Sequence, residues 1–349
     1  METNVTTAAF SRAVERIGNT PMCRLRMSIG CRRATIYLKL EGYNPAGSSK
    51  DRTAAALIHD LEQRGQLNRS SVIVESTSGN LGVALAYLCR ELGQAFVAVI
   101  DPNITAENRA RMLAYGAQLE MVETQDANGG YLMSRLNRVR ELCALSASYV
   151  WTNQYSNHAN PKAHYESTAP EIYRQMGGRV DVIFVPVSTG GTLAGIARYL
   201  REVSPPTKII AVDAVGSVVF GGPPRSRKLT GIGSSRRSDF IQPHHCDEHI
   251  LVSDLNAFAM CRRVAESSGI SIGGSSGAIV YACSQYLAQH PEVEGAVCLC
   301  ADRGENYASS IFDDDWLCRN GFDCGHAASN VDLITIAEVA SGAVWETSS

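Results

Sequence analysis

The chain has 349 residues, 32 Lys and Arg against 35 Asp and Glu for a formal charge of −3, and 45% hydrophobic residues. That length and apolar content suit one large or two ordinary globular domains and exclude a disordered or fibrous chain. The charge balance offers no basic excess to a nucleic-acid backbone or an anionic lipid surface, so neither partner is expected.

Residues 1–10 are polar and lack the basic-then-apolar order of a signal peptide, and no apolar run approaches ~20 residues. Short β-branched runs follow at 35–40, 72–75, 96–100, 119–122, 182–187, 209–213, 250–252 and 297–300. Each is brief and mostly apolar, the pattern of strands buried on both faces. Amphipathic stretches lie between them. Residues 52–64 place Ala54, Leu57, Ile58 and Leu61 on one stripe and stop at Gly65, and residues 81–92 close at Gly93. Strand then helix, repeated, predicts an α/β fold with parallel sheets and right-handed crossovers. No linker or repeat is visible, so two interleaved sheet-based domains are expected: 1–50 with 160–330 as the larger, 51–159 as the smaller. Residues 331–349 read as a loose tail.

Eleven cysteines, an odd number without a Cys-x-x-Cys pair, do not make a disulfide scaffold. Cys89, Cys143, Cys261 and Cys283 fall in apolar helical patterns and Cys298 and Cys300 in a strand-like run. They read as small buried hydrophobes of a reducing, cytoplasmic compartment. His244, His245, Cys246, Asp247, Glu248 and His249 crowd metal-ligand types together. Adjacent side chains diverge, however, whereas a closed tetrahedral site draws spaced pairs from two elements. A solvated loop is expected there, the same discount applies to Cys324 and His326, and no metal is expected.

Four glycine-bearing turns open helices. Asn44-Pro45-Ala46-Gly47-Ser48-Ser49-Lys50 delivers a lysine to a helix start, where the dipole disfavours a cation. Burial would lower its pKa further, giving the neutral amine an imine-forming nucleophile needs; an exposed first-turn lysine is the plainer alternative. Glu75-Ser76-Thr77-Ser78-Gly79-Asn80 offers free N–H groups, hydroxyls and a carboxamide. They suit a carboxylate and an oxygen on a cofactor ring, or form an ordinary cap. Ser188-Thr189-Gly190-Gly191-Thr192 combines close backbone approach, hydroxyls and a helix dipole into a phosphate cradle without a lysine. Gly-Lys-Ser/Thr and Gly-x-Gly-x-x-Gly are both absent, so the phosphate belongs to a smaller cofactor unless the turn only packs helix on strand. Gly273-Gly274-Ser275-Ser276-Gly277 is a fourth such turn.

In this order the turns resemble those of fold-type II pyridoxal-phosphate enzymes, the cysteine synthase and cystathionine β-synthase superfamily. The resemblance covers residues 17–307, from Gly18-Asn19-Thr20-Pro21 onward. It implies pyridoxal 5′-phosphate as cofactor and a homodimer, with 1–50 and 160–330 the cofactor-binding domain and 51–159 the mobile one. Lys50 corresponds to the Schiff-base lysine. Ser76, Thr77, Ser78 and Gly79 correspond to the substrate-carboxylate loop, Asn80 to the ring-oxygen ligand, and Ser188, Thr189, Gly190, Gly191 and Thr192 to the phosphate loop.

Further segments resemble the branch of the superfamily that joins O-phospho-L-serine to L-glutamate and releases phosphate, in supply of the siderophore staphyloferrin B. They are Gly129-Gly130-Tyr131-Leu132-Met133-Ser134-Arg135, Asn153-Gln154-Tyr155, Val212-Asp213-Ala214, Gly216-Ser217-Val218 and Gly231-Ile232-Gly233. By that match Arg135, Tyr155 and Ser188 are implied active-site residues. In this reading Lys50 removes the Cα proton, phosphate leaves from Cβ and the glutamate amine attacks there.

One departure stands out. Many superfamily members carry Pro-x-Ser-Gly-Glu-Arg-Tyr, whose serine faces the pyridine nitrogen; here the stretch is Ala301-Asp302-Arg303-Gly304-Glu305-Asn306-Tyr307, with Arg303 at the serine position. A guanidinium cannot accept a proton from a pyridinium, so the ring nitrogen is unprotonated or another hydroxyl approaches it, Ser275 being the candidate. A cysteine synthase using sulfide with O-acetylserine or O-phosphoserine would share every cofactor residue. A pyridoxal-phosphate-binding regulator without turnover is the reading from another class.

Overall fold

The computed structural model describes residues 8–126 and 129–322 and the backbone of 334–339. Eleven strands occur among them: β1 (Met22–Ile29), β2 (Arg32–Leu40), β3 (Val72–Ser76), β4 (Ala95–Ile100), β5 (Gln118–Met121), β6 (Tyr149–Trp151), β7 (Val182–Pro186), β8 (Lys208–Ala214), β9 (Glu248–Val252), β10 (Ala296–Cys300) and β11 (Ile334–Val339). They form a seven-stranded sheet in the order β11-β1-β2-β10-β7-β8-β9 and a four-stranded sheet in the order β5-β4-β3-β6. The small sheet is parallel throughout. In the large one only β1 is reversed, antiparallel to both β2 and β11. The protein is therefore α/β, with helices on both faces of mainly parallel sheets.

Period-two alternation sorts each strand between two apolar layers. Along β7, Val182 and Phe184 face one layer while Ile183 and Val185 face the other, all fully buried. Helices begin and end where the sequence punctuates them. The helix Lys50–Gln63 is followed by Gly65 at φ +67°, and the helix Asn80–Leu92 is capped by left-handed Gly93 at φ +76°. Of residues 331–349, β11 pairs with β1 along one edge; the others, with Cys324 and His326, lie outside the described residues.

A neutral cluster of four charges is buried where the large sheet meets the helix Lys50–Gln63. Arg52 donates Nε and Nη2 to Glu41 at 2.7 and 2.9 Å, and Nη1 and Nη2 to Glu171 at 2.7 Å each. Lys39, fully buried on β2, donates to Glu171 at 2.9 Å and to the Thr20 carbonyl at 2.7 Å. The Gly18-Asn19-Thr20 turn completes it: the Asn19 N–H donates to Glu171 and the Thr20 hydroxyl to Glu41. Gly18, at φ +93°, could carry no Cβ, which would stand 2.8 Å from Glu171 Oε1.

Burial alone would raise the Glu171 pKa, but hydrogen bonds and charge from Arg52, with the charge of Lys39, bring it down to about 2 from an ordinary 4.5. A depressed acid contributes stability that is complete above its unfolded value and lost as pH falls through the folded one. Glu171→Gln should therefore cost ~3–5 kcal/mol at neutral pH by leaving buried cations short of a partner. Urea titrations across the acid range should show the wild type losing more stability below pH 4.5 than the variant does. Parallel acid profiles would contradict this account of the cluster.

Candidate active site

Parallel strands release their turns at one edge of a sheet, where helix N-termini gather. The turns singled out in the sequence are stitched together there. The Ser49 N–H donates to the Ala301 carbonyl at 2.8 Å and Ser48 bridges Asp302, which joins the Lys50 turn to the end of β10. Asn80 Nδ2 donates to Asp302 Oδ2 at 2.6 Å, bringing in the turn after β3, and the Gly273 N–H donates to the Asp302 carbonyl at 3.3 Å. The Ser188 hydroxyl donates to the Gly233 carbonyl at 3.1 Å, drawing the loop beyond β8 over the turn after β7.

Lys50 is the first residue of its helix and is half-buried. Burial pushes its amine down from the ordinary lysine value, against the charges of Asp302 and Glu41, which favour the cation. In the turn after β3, Thr77 Oγ1 accepts from the Gly82 N–H at 3.0 Å and Ser76 Oγ is buried without a partner. Glu75 anchors this turn from below. Its carboxylate accepts from Ser76 N–H, Trp151 Nε1, Thr152 Oγ1 and Gln154 N–H, tying β3 to the segment that carries Tyr155. Asn153, at φ +55°, makes the turn that aims this segment.

Arg135 reaches the same loop from the helix Leu132–Leu145. Its Nη1 donates to Ser78 Oγ at 3.1 Å, and its Nε lies 3.2 Å from Asp101 Oδ2 yet is buried without a hydrogen bond. Tyr155 lies beneath the Arg236 guanidinium, 5.5 Å from the ring centroid; burial pushes its phenol pKa up, and the charge of Arg135 opposes the rise. Around the turn after β7, Gly190 at φ +89° and Gly191 are both obligatory: a Cβ would stand 2.2 Å from Ser238 Oγ at the first and 2.2 Å from Asn160 Oδ1 at the second.

Pyridoxal phosphate asks for an amine, an anion cradle, a donor to its ring oxygen and a partner for its ring nitrogen. These turns contain residues of each kind. Buried polar atoms are normally paired, yet Ser76 Oγ, Ser275 Oγ and Asp302 Oδ1 have no protein partner, and a Cβ on Gly79 would meet nothing within 4 Å. Arg303 turns elsewhere, its Nε donating to the Gly42 carbonyl and its guanidinium lying over Tyr43. The stretch 244–249 has other partners: Arg201 bonds Asp247 at 2.8 Å and His249 stacks on Phe220. Among the described residues, no group of three His, Cys, Asp or Glu is placed to hold a metal ion, and no helix is long and apolar enough to cross a membrane.

Sequence reasoning passed over Asp302, Glu75, Asn160 and His164. The last two carry a legible signal: Asn160, His164, Thr168 and Glu171 recur at helical spacing, a polar stripe on a buried segment.

The family described as "Pyridoxal-phosphate dependent enzyme" matches residues 14–302, and the chain belongs to it; its cofactor is pyridoxal 5′-phosphate. Relatives narrow the likeness. N-(2-amino-2-carboxyethyl)-L-glutamate synthase of Ralstonia nicotianae is 44% identical over 306 residues, 88% of this chain and 90% of the relative. A protein of the same name from Cupriavidus metallidurans is 42% identical over 309 residues, 88% and 91%. Among solved structures, the O-acetylserine dependent cystathionine β-synthase of Helicobacter pylori matches with a TM-score of 0.79 at 30% identity, over 85% of this chain and 97% of that one.

Gly191→Ala would drive a methyl group into Asn160 and displace the turn after β7. Fluorescence titration of the apoenzyme with pyridoxal phosphate should show affinity weakened by about tenfold or more, ~1.4 kcal/mol. An unchanged affinity would remove the turn from the cofactor site.

Proposed function

We propose that the protein joins O-phospho-L-serine and L-glutamate by β-replacement, giving N-(2-amino-2-carboxyethyl)-L-glutamate and phosphate, for the 2,3-diaminopropionate unit of staphyloferrin B. The observation that carries this reading is Arg135. A largely buried guanidinium, 12% exposed, stands at the carboxylate loop with a donor to spare. Its planar fork matches a phosphate leaving group, which a sulfide-using enzyme fed with O-acetylserine would not need. The relatives' shared name supports the same choice.

Pyridoxal phosphate, when bound, supplies the electron sink that makes the substrate's Cα proton removable. The chain's own residues do the rest. Ser188, Thr189, Gly190, Gly191 and Thr192 would hold its phosphate, Asn80 its ring oxygen and Ser275 its ring nitrogen. Lys50, driven toward the neutral amine by burial, takes the Cα proton and, after its ammonium has exchanged with solvent, returns a proton to Cα at the end. Ser76, Thr77, Ser78 and Gly79 orient the substrate carboxylate with hydroxyls and backbone N–H groups at a helix mouth. Arg135 neutralises the phosphate as the Cβ–O bond breaks; the glutamate nitrogen then forms the Cβ–N bond and loses a proton. Tyr155, between Arg135 and Arg236, borders the space in which the acceptor carboxylates need cations. Excluding water from so many charges requires closure, which we assign to residues 51–159 moving against the larger sheet. A homodimer and a cytoplasmic location belong to the same reading; the described cysteines, all of them free, support the location alone.

Phosphate release from O-phospho-L-serine should depend on L-glutamate. Release that follows sulfide instead would transfer the reading to cysteine synthesis. Arg135→Ala should lower kcat by roughly a hundredfold with O-phospho-L-serine, the scale for losing one aimed donor to developing charge. It should matter far less with O-acetyl-L-serine, and equal losses with both donors would take Arg135 off the phosphate.

A further inference from the structure

The segment 186–195, which contains the proposed phosphate turn, has neither lysine nor arginine, so an anion there must be held by N–H and O–H donors. A hydroxyl has one proton, and a phosphate dianion only accepts. Whether the turn's threonines point their protons outward depends on what their oxygens receive from behind.

Behind the turn, the helix Ala159–Ala163 runs into a π-helical turn, His164–Thr168, a geometry frequent at functional sites. His164 is fully buried and faces three hydroxyls: Nε2 lies 3.1 Å from Thr192 Oγ1 and 3.2 Å from Thr53 Oγ1, and Nδ1 lies 2.9 Å from Thr168 Oγ1. Asn160 Nδ2 donates to Thr189 Oγ1 at 3.2 Å, and Thr53 Oγ1 donates to Asn160 Oδ1 at 3.4 Å. Thr189 Oγ1 also accepts from the Gly191 N–H at 3.4 Å. Burial first, with the Arg52 guanidinium nearby, holds His164 well below the usual histidine range, so it carries one ring proton.

Two neutral forms are available, and the proton count separates them. With the proton on Nδ1, Nε2 must accept. A hydroxyl proton of Thr192 or Thr53 is then turned inward, taken either from the phosphate turn or from Asn160 Oδ1. With the proton on Nε2, that N–H is shared between Thr192 and Thr53, Thr168 donates to Nδ1 and Thr53 keeps its proton for Asn160. Every contact is then donor to acceptor. Two hydroxyl protons are left over, those of Thr189 and Thr192, and both belong to the turn.

We propose that His164 is a positioning residue of the phosphate turn: as the neutral Nε2–H form it fills, with Asn160, the acceptor sites of Thr192 and Thr189, so that both hydroxyls face the cofactor phosphate as donors. The proposal rests on assigning that turn to the phosphate. It also couples the turn to the Lys50 helix, since Thr53 stands one turn beyond Lys50.

The test is the histidine tautomer in the holoenzyme, read by long-range proton–nitrogen correlation on protein labelled in histidine, with His164→Gln assigning the signal. The expected result is Nε2–H at neutral pH. An Nδ1–H form or an imidazolium overturns the proposal. His164→Gln, which can still offer an amide N–H to the threonines, should keep pyridoxal phosphate affinity within a few-fold of wild type, whereas His164→Ala should lose about tenfold or more. Equal affinities in the two variants also overturn it. Thr189→Val and Thr192→Val separate the premise: if both bind the cofactor like wild type, the assignment of the turn falls and the proposal with it. If they bind weakly while the tautomer is Nδ1–H, the assignment stands and the proposal alone is wrong.

Discussion

Arg52, buried between Glu41 and Glu171, fixes where Lys50 can be. Its five N–H groups are arranged as a fork, and two carboxylates from different parts of the chain take that fork from two sides. Glu41 follows β2 and Glu171 lies on the helix Ala169–Gln175, so the first turn of the Lys50 helix is held against both. Desolvating four charges is costly, and such clusters are weak evidence for net stability. Position is the better account of this one. A two-residue separation on one helix turn transmits the fixed guanidinium to the lysine amine, and the burial that the cluster makes possible drives that amine toward its neutral form.

Anion binding in this protein does not require a basic surface. The chain is slightly acidic overall, and the turn after β7 carries no cation. Its means are geometric: glycines that admit the backbone, helix mouths that aim N–H groups, and hydroxyls whose oxygens are already engaged by Asn160 and Gly191 or lie against His164. In the proposed reaction, cations enter where charge changes. Arg135 stands by the turn after β3 and Arg236 over Tyr155, each near a carboxylate, Asp101 and Asp239 respectively, that holds the guanidinium in place.

Much of this was legible in the sequence because the glycines are required. Gly190 and Gly191 stand where a side chain would collide, and such positions print themselves on a single sequence. The apolar runs also read directly as β2 to β5 and β7 to β10, although β5 and β9, at the sheet edges, are largely exposed rather than buried on both faces. β1 did not, because Leu25 and Met27 alternate with exposed Arg24 and Arg26, and a search for continuous apolar runs passes over alternation. β6 has only three residues, too few for a period. Asp302 was hidden for a different reason: it acts by what it touches across the fold, Asn80 from 222 residues away, and no local pattern marks such a partner, whereas the stripe Asn160, His164, Thr168 and Glu171 was there to be read.

In the proposed reaction the protein exchanges phosphate on Cβ of phosphoserine for the nitrogen of glutamate, with Lys50 moving the Cα proton. Mass spectrometry of the product from O-phospho-L-serine deuterated at Cα and nitrogen-labelled L-glutamate tests it most directly. The expected product carries the glutamate nitrogen and has lost Cα deuterium to solvent, at least in part. A product without the labelled nitrogen, or one that keeps the deuterium in full, would contradict it.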